Sequence, residues 1–158
     1  MKEFKDIVQY LKELEDAEQA KFNLPKNKKN LIESNVFMPA YIQSVIEASI
    51  GIYASAHRWH LLTESFAEHE AFNEFYESMV AEVDTLSEKL ISNFGKMLDK
   101  TFVTLSFAPY SNYKGVLDSY KNLLNSFFNS VEDESIKDSI NAISGLVQAL
   151  EYKLENLK

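Results

Sequence analysis

Turn-forming residues are nearly missing from this chain: 158 residues carry four glycines and three prolines. A sandwich or barrel joins its strands through many turns rich in such residues. This chain cannot supply them, whereas long helices need few. The length suits one domain, and a compact chain of this size buries roughly 68–70% of the surface its unfolded form exposes. The core therefore needs no covalent staples. There is no cysteine, which excludes disulfides, zinc ribbons and thiolate clusters. A metal would have to be held by His, Asp, Glu or water.

Apolar periodicity marks five helical segments. The first, about Glu3 to Ala20, shows Phe4, Ile7, Val8, Leu11 and Leu14 at helical spacing. The polar stretch Asn23–Asn30, broken by Pro25, follows it. Residues 1–30 thus read as an appendage, an amphipathic helix with a basic linker, and 31–158 as the folded body. The next segment runs from about Met38 to Leu62, with Pro39 in its first turn and Ile42, Val45, Ile46, Tyr53 and Ala56 as its core stripe. Small residues Ser44, Ala48, Gly51 and Ser55 form a second stripe almost opposite. It suits close approach of another helix, from this chain or from a second subunit, and the subunit contact is the favoured reading.

A third segment, about Ala67 to Phe94, carries Phe72, Phe75, Met79, Val83, Leu86 and Leu90 on one face. Gly95 to Asn112 is a long connection with an isolated β-like run (Phe102, Val103, Leu105, Phe107) that ends at Pro109. The last two helices cover about Tyr113–Ser130 and Glu132–Leu157, with Ser130 the expected cap of the latter and Asp133 three residues on. The architecture expected is all-α: four long helices paired first with second and third with fourth, with a long crossover between the pairs.

The formal charge is −8. Nucleic-acid binders usually show a basic face. Here the one compact basic run is Lys26, Lys28 and Lys29, so duplex binding is expected to be weak or absent and confined to that arm. No 18-residue apolar stretch predicts a membrane span. The first ten residues lack the apolar run of a signal peptide. The location expected is cytoplasmic.

All three histidines, His57, His60 and His69, fall close together, and Asp84 and Glu88 follow one turn apart. Imidazoles with carboxylates suit iron(II) or zinc. On a helical wheel Asp84 and Glu88 lie roughly 125–165° from the core stripe of their helix, so they point out of their own bundle. His60 falls in the middle of the core stripe of the preceding helix, and His57 on its flank. His60 therefore reads as a core histidine, a support for a ligand or an alternative ligand. A site using both His57 and the acid pair is hard to build inside one bundle. It is easy to build between two.

These residues resemble the Dps proteins, the mini-ferritins of the ferritin-like superfamily. Those carry two histidines twelve apart, an Asp fifteen residues later and a Glu four after that; here these are His57, His69, Asp84 and Glu88, within Val83-Asp84-Thr85-Leu86-Ser87-Glu88-Lys89-Leu90. The chain also looks like phage-encoded ferritin-like proteins of unassigned function, which share the His-x-x-His spacing and Phe75-Tyr76-Glu77. Where Dps proteins place Trp directly after the first His, this chain has Arg58, then Trp59. The resemblance implies a ferritin-like four-helix bundle and a homo-oligomer, a dimer at least and a dodecamer by analogy. It also implies one or two iron ions, with zinc as a substitute, at a site whose His pair and acid pair come from different subunits.

Two functions follow from that resemblance. The first is a ferroxidase: iron(II) oxidised by peroxide or oxygen, then sequestered as protection against oxidative damage. The second is a non-catalytic phage structural or interaction protein with virion partners and a vestigial or structural metal site.

Overall fold

A computed structural model describes residues 31–95 and 107–157. The expected N-terminal helix, Lys26, Lys28 and Lys29, and residues 96–106 of the connection lie outside the described residues. The described residues contain four long helices and no strand: α1 (Leu31–Leu62), α2 (Phe66–Phe94), α3 (Tyr113–Ser130) and α4 (Glu134–Asn156), with a 3₁₀ turn at Tyr110–Asn112. This is the all-α four-helix architecture that the turn-poor sequence predicts.

α2 is the plainest case of sequence becoming structure. The Ser65 hydroxyl caps it by accepting the Glu68 N–H, and Gly95 closes it at φ 87°, a backbone state that favours glycine. Between them Phe72, Phe75, Met79, Val83, Leu86 and Leu90 are all buried, as their spacing predicts. Each such side chain contributes roughly 1.5–3 kcal/mol when fully buried.

α1 departs from the sequence reading in two ways. It begins at Leu31 rather than Met38, so Pro39 sits in the helix interior and not in its first turn. A proline there deletes one rung of the hydrogen-bond ladder, which the helix tolerates. Its core stripe is also rotated. Trp59 is fully buried and takes the position the periodicity assigns to His60, which is half-buried, while His57 is exposed. The cause is a buried sector wider than the apolar stripe alone, since it includes small polar residues. α1 lies against both α2 and α3, so its buried sector swings towards the small-residue stripe. Ser44 and Ser55 of that stripe are buried inside the chain itself, and the Ser55 hydroxyl accepts the Ala108 N–H at 3.0 Å. At these residues the close approach is within the chain, not between subunits.

α3 spans the residues its pattern predicts. α4 starts two residues later than expected because Asp133, not Ser130, is its cap: the carboxylate accepts the Ile136 N–H at 3.1 Å. Ser130 instead donates to the Phe127 carbonyl at 2.7 Å.

Side-chain contacts fix the helix directions. Tyr41 in the first half of α1 meets Phe127 near the end of α3 at 5.2 Å between ring centres, and Trp59 near the end of α1 meets Tyr113 at the start of α3 at 6.0 Å. Those two helices are therefore antiparallel. Glu74 pairs with Lys153 and Lys89 donates to the Ser139 hydroxyl at 2.7 Å, so α2 and α4 are antiparallel too. Lys121 of α3 pairs with Glu151 of α4 at 2.7 Å. The expected pairs α1–α2 and α3–α4 both form, and the most extensive contacts are α1–α2 and α2–α4. Phe72 and Tyr113, 5.4 Å apart, put the starts of α2 and α3 at the same end. Gly95 and Tyr110 consequently lie at opposite ends of the bundle. No described helix is long and apolar enough to cross a membrane.

Candidate metal centre

The three histidines gather where α1 turns into α2. The turn is short, and polar side chains hold it. Thr63 N–H closes onto the Trp59 carbonyl at 3.0 Å. The Thr63 hydroxyl accepts from Ser65 N–H at 3.1 Å and donates to Glu68 at 2.6 Å. The same Glu68 oxygen accepts the Tyr110 hydroxyl. That bond to a carboxylate is the main reason the Tyr110 phenol is pushed above its ordinary range. Below the turn, Trp59 donates its indole N–H to the Ala108 carbonyl at 2.8 Å and packs on Phe72. The corner is thus fixed both in sequence and across the bundle.

His60 and His69 lie across this corner with ring centres 3.7 Å apart. Nδ1 of His60 bonds the His69 carbonyl, and Nδ1 of His69 bonds the His60 carbonyl, both at 3.0 Å. A carbonyl only accepts, so each Nδ1 carries the proton. A neutral ring then keeps its lone pair on Nε2, the state in which a histidine backed by a carbonyl binds a metal. His57 is exposed, and its ring stacks on Tyr76 at 4.3 Å with 22° between planes. It lies 6.2 Å from the His60 ring.

Asp84 and Glu88 are exposed on α2, as the wheel predicts. Neither has a hydrogen-bond or ion-pair partner among the described residues. They lie fifteen and nineteen residues beyond His69 on the same helix, which is about 22 and 28 Å along its axis. One chain therefore does not bring the acid pair to the histidines. No group of three or more His, Asp or Glu able to hold a metal occurs among the described residues of the single chain.

Sequence reasoning missed Tyr76, Glu68 and Tyr110 as parts of this corner. For Glu68 a signal exists: Ser65-Phe66-Ala67-Glu68 has the capping-box spacing, although Glu68 turns away to Thr63 and Tyr110. Tyr76 and Tyr110 meet their partners only through tertiary packing, which no local pattern reveals.

Among known proteins, a family of unknown function (DUF5856) matches residues 60–154, a span from His60 through most of α4. No curated protein and no solved structure matches the chain.

Proposed function

Because the chain belongs to the family of unknown function DUF5856, membership supplies no chemistry, and we propose from the residues themselves that it is a ferritin-like protein that binds and oxidises iron(II) between two subunits. One observation carries the reading. Asp84 and Glu88 stand exposed and unpartnered among the described residues, roughly 60° and 100° around α2 from His69, whose bond through Nδ1 leaves the lone pair of a neutral ring on Nε2. Two carboxylates one turn apart need water or a cation, and two imidazoles complete a set suited to iron(II).

An antiparallel second copy of α2 meets this need. With the two-fold axis between positions 77 and 78, facing residue numbers sum to 155. Asp84 of the partner subunit then falls opposite position 71 and Glu88 of the partner subunit opposite position 67, with His69 between them. His60 and His69 are abreast, so His57 on α1 lies level with position 72, beside the partner's Asp84. One register brings all four residues together, twice per dimer. Nearest its axis stands Glu77, exposed, whose carboxylate must turn to water beside its copy, and next to it are Val80, half-exposed, and the small Ala81, exposed. Closed isologous pairs of this kind are the common form of symmetric oligomer. The resemblance to Dps proteins adds a dodecamer, with the cytoplasm as its location.

Iron(II) is the substrate in this reading, with zinc as a substitute. His57 and His69 hold it as neutral donors, and the acid pair offsets its charge, with Glu88 bridging where two ions are bound. Two iron(II) ions give one electron each to one peroxide molecule, which takes up two protons and becomes two waters. The iron(III) then passes to an interior lined by the chain's excess acids. The test is aerobic addition of iron(II) with absorbance recorded, wild type beside Asp84→Ala. The reading expects oxidation in the first and its loss in the second.

The His60–His69 bonds favour a second reading, because clamping the corner is a sufficient role for both rings. The chain would then be a non-catalytic scaffold or virion component, with the motif retained for structure. Metal content of protein purified without chelator, together with oligomer size, separates the two.

A further inference from the structure

We infer that Tyr76 is the positioning residue for His57, an inference that rests on the metal reading above. The two histidines of the proposed site are held in different ways. His69 is oriented by its bond to the His60 carbonyl. His57 is exposed, and neither of its ring nitrogens has a hydrogen-bond partner among the described residues. An exposed imidazole without such a bond is free to move among its rotamers. What holds it is the Tyr76 ring, stacked 4.3 Å away and nearly parallel. Tyr76 is itself fixed. Its hydroxyl donates to the Asn73 side-chain oxygen at 2.9 Å, and its ring stands edge-on to His60 at 5.6 Å, with 71° between planes.

Tyr76 therefore does for His57 what a carbonyl does for His69: it fixes the ring before a metal arrives. A ligand held within about 0.5 Å of its working position binds without the cost of being ordered. The tyrosine contributes no atom to the site. Its ring carries the effect, and the edge contact with His60 keeps that ring in place even where the hydroxyl bond to Asn73 is removed.

The test uses full-length wild type, Tyr76→Phe and Tyr76→Leu with two measurements. The first is cobalt(II) titration. Tyr76→Phe is expected within about twofold of wild type and Tyr76→Leu about tenfold weaker, the scale of losing a ligand's support. The second is proton NMR of the histidine rings without metal. The His57 ring protons are expected upfield in wild type and Tyr76→Phe, and at ordinary shifts in Tyr76→Leu. Cobalt(II) affinity equal in Tyr76→Leu and wild type overturns the inference, as does a wild-type His57 with no upfield shift. The wild-type shift needs no variant, so it decides even where Tyr76→Leu fails to fold. Wild type that binds no cobalt(II) sinks the metal reading instead, and the ring shifts then decide alone whether Tyr76 holds His57.

Discussion

His60 and His69 each donate Nδ1–H to the other's main-chain carbonyl across the α1–α2 corner, both at 3.0 Å. His60 lies in the last turn of α1, where carbonyls have no partner within the helix, so the His69 ring satisfies one of them. The same bond sets the His69 tautomer. One exchange thus closes the helix hairpin and readies His69 as a ligand.

His60→Ala removes half of that exchange and the ring stack with it. Its cost is expected at about 1–2 kcal/mol, a melting-temperature drop of about 2–8 °C for a domain of this size. Metal affinity should fall less than in Asp84→Ala. If His60→Ala abolishes binding while Asp84→Ala matches wild type, the site lies within one chain around His57 and His60.

Trp59→Phe keeps most of the buried volume but deletes the indole N–H that the Ala108 carbonyl accepts. A buried acceptor left unsatisfied costs about 1–3 kcal/mol. Denaturant unfolding should show that loss with an unchanged slope. A cost under about 0.5 kcal/mol, the range of an ordinary surface substitution, would mean that this bond does not anchor the return of the connection to the bundle.

Tyr120 links stability to alkaline pH. It is fully buried, its hydroxyl donates to Ser49 at 2.7 Å, and burial pushes its pKa well above the usual 10.0. A raised phenol pKa contributes stability that is complete below the unfolded value and is lost as pH rises towards the folded one. Wild type should therefore lose more stability than Tyr120→Phe between about pH 9 and pH 11. Parallel stability curves for the two proteins would contradict this.

Much of the fold is legible in the sequence because three of its helices bury a single face. The α2 stripe Phe72–Leu90 and the extent of α3 follow from period alone. α1 is harder: its buried sector takes in small polar residues such as Ser44 and Ser55 beside the apolar stripe, and counting only the apolar one puts His60 where Trp59 belongs. The outward direction of Asp84 and Glu88 is legible because α2 has one clear core face from which to measure. The hold of Tyr76 on His57 and of Tyr110 on Glu68 is not legible, since each joins residues whose meeting depends on how whole helices pack.

Val80 probes the proposed dimer without touching a ligand. It is half-exposed in the single chain, so Val80→Arg should leave helix content unchanged. Placed near the axis, it should split the dimer and abolish metal binding together, measured by light scattering and cobalt(II) titration. A Val80→Arg protein that stays dimeric and binds cobalt(II) as wild type does would remove α2 from the interface.

The most direct measurement is subunit complementation between His57→Ala and Asp84→Ala. Each variant alone lacks one half of every site. A mixed dimer places the intact histidines of the Asp84→Ala chain against the intact acids of the His57→Ala chain and so rebuilds one of its two sites. After the two variants are unfolded and refolded together in equal amounts, random pairing makes about half the dimers mixed. Iron(II) binding and oxidation should then return to about one quarter of wild type, while each variant refolded alone stays inactive. A mixture no more active than its parents, beside a wild type that does bind and oxidise iron(II), would contradict a site shared between subunits.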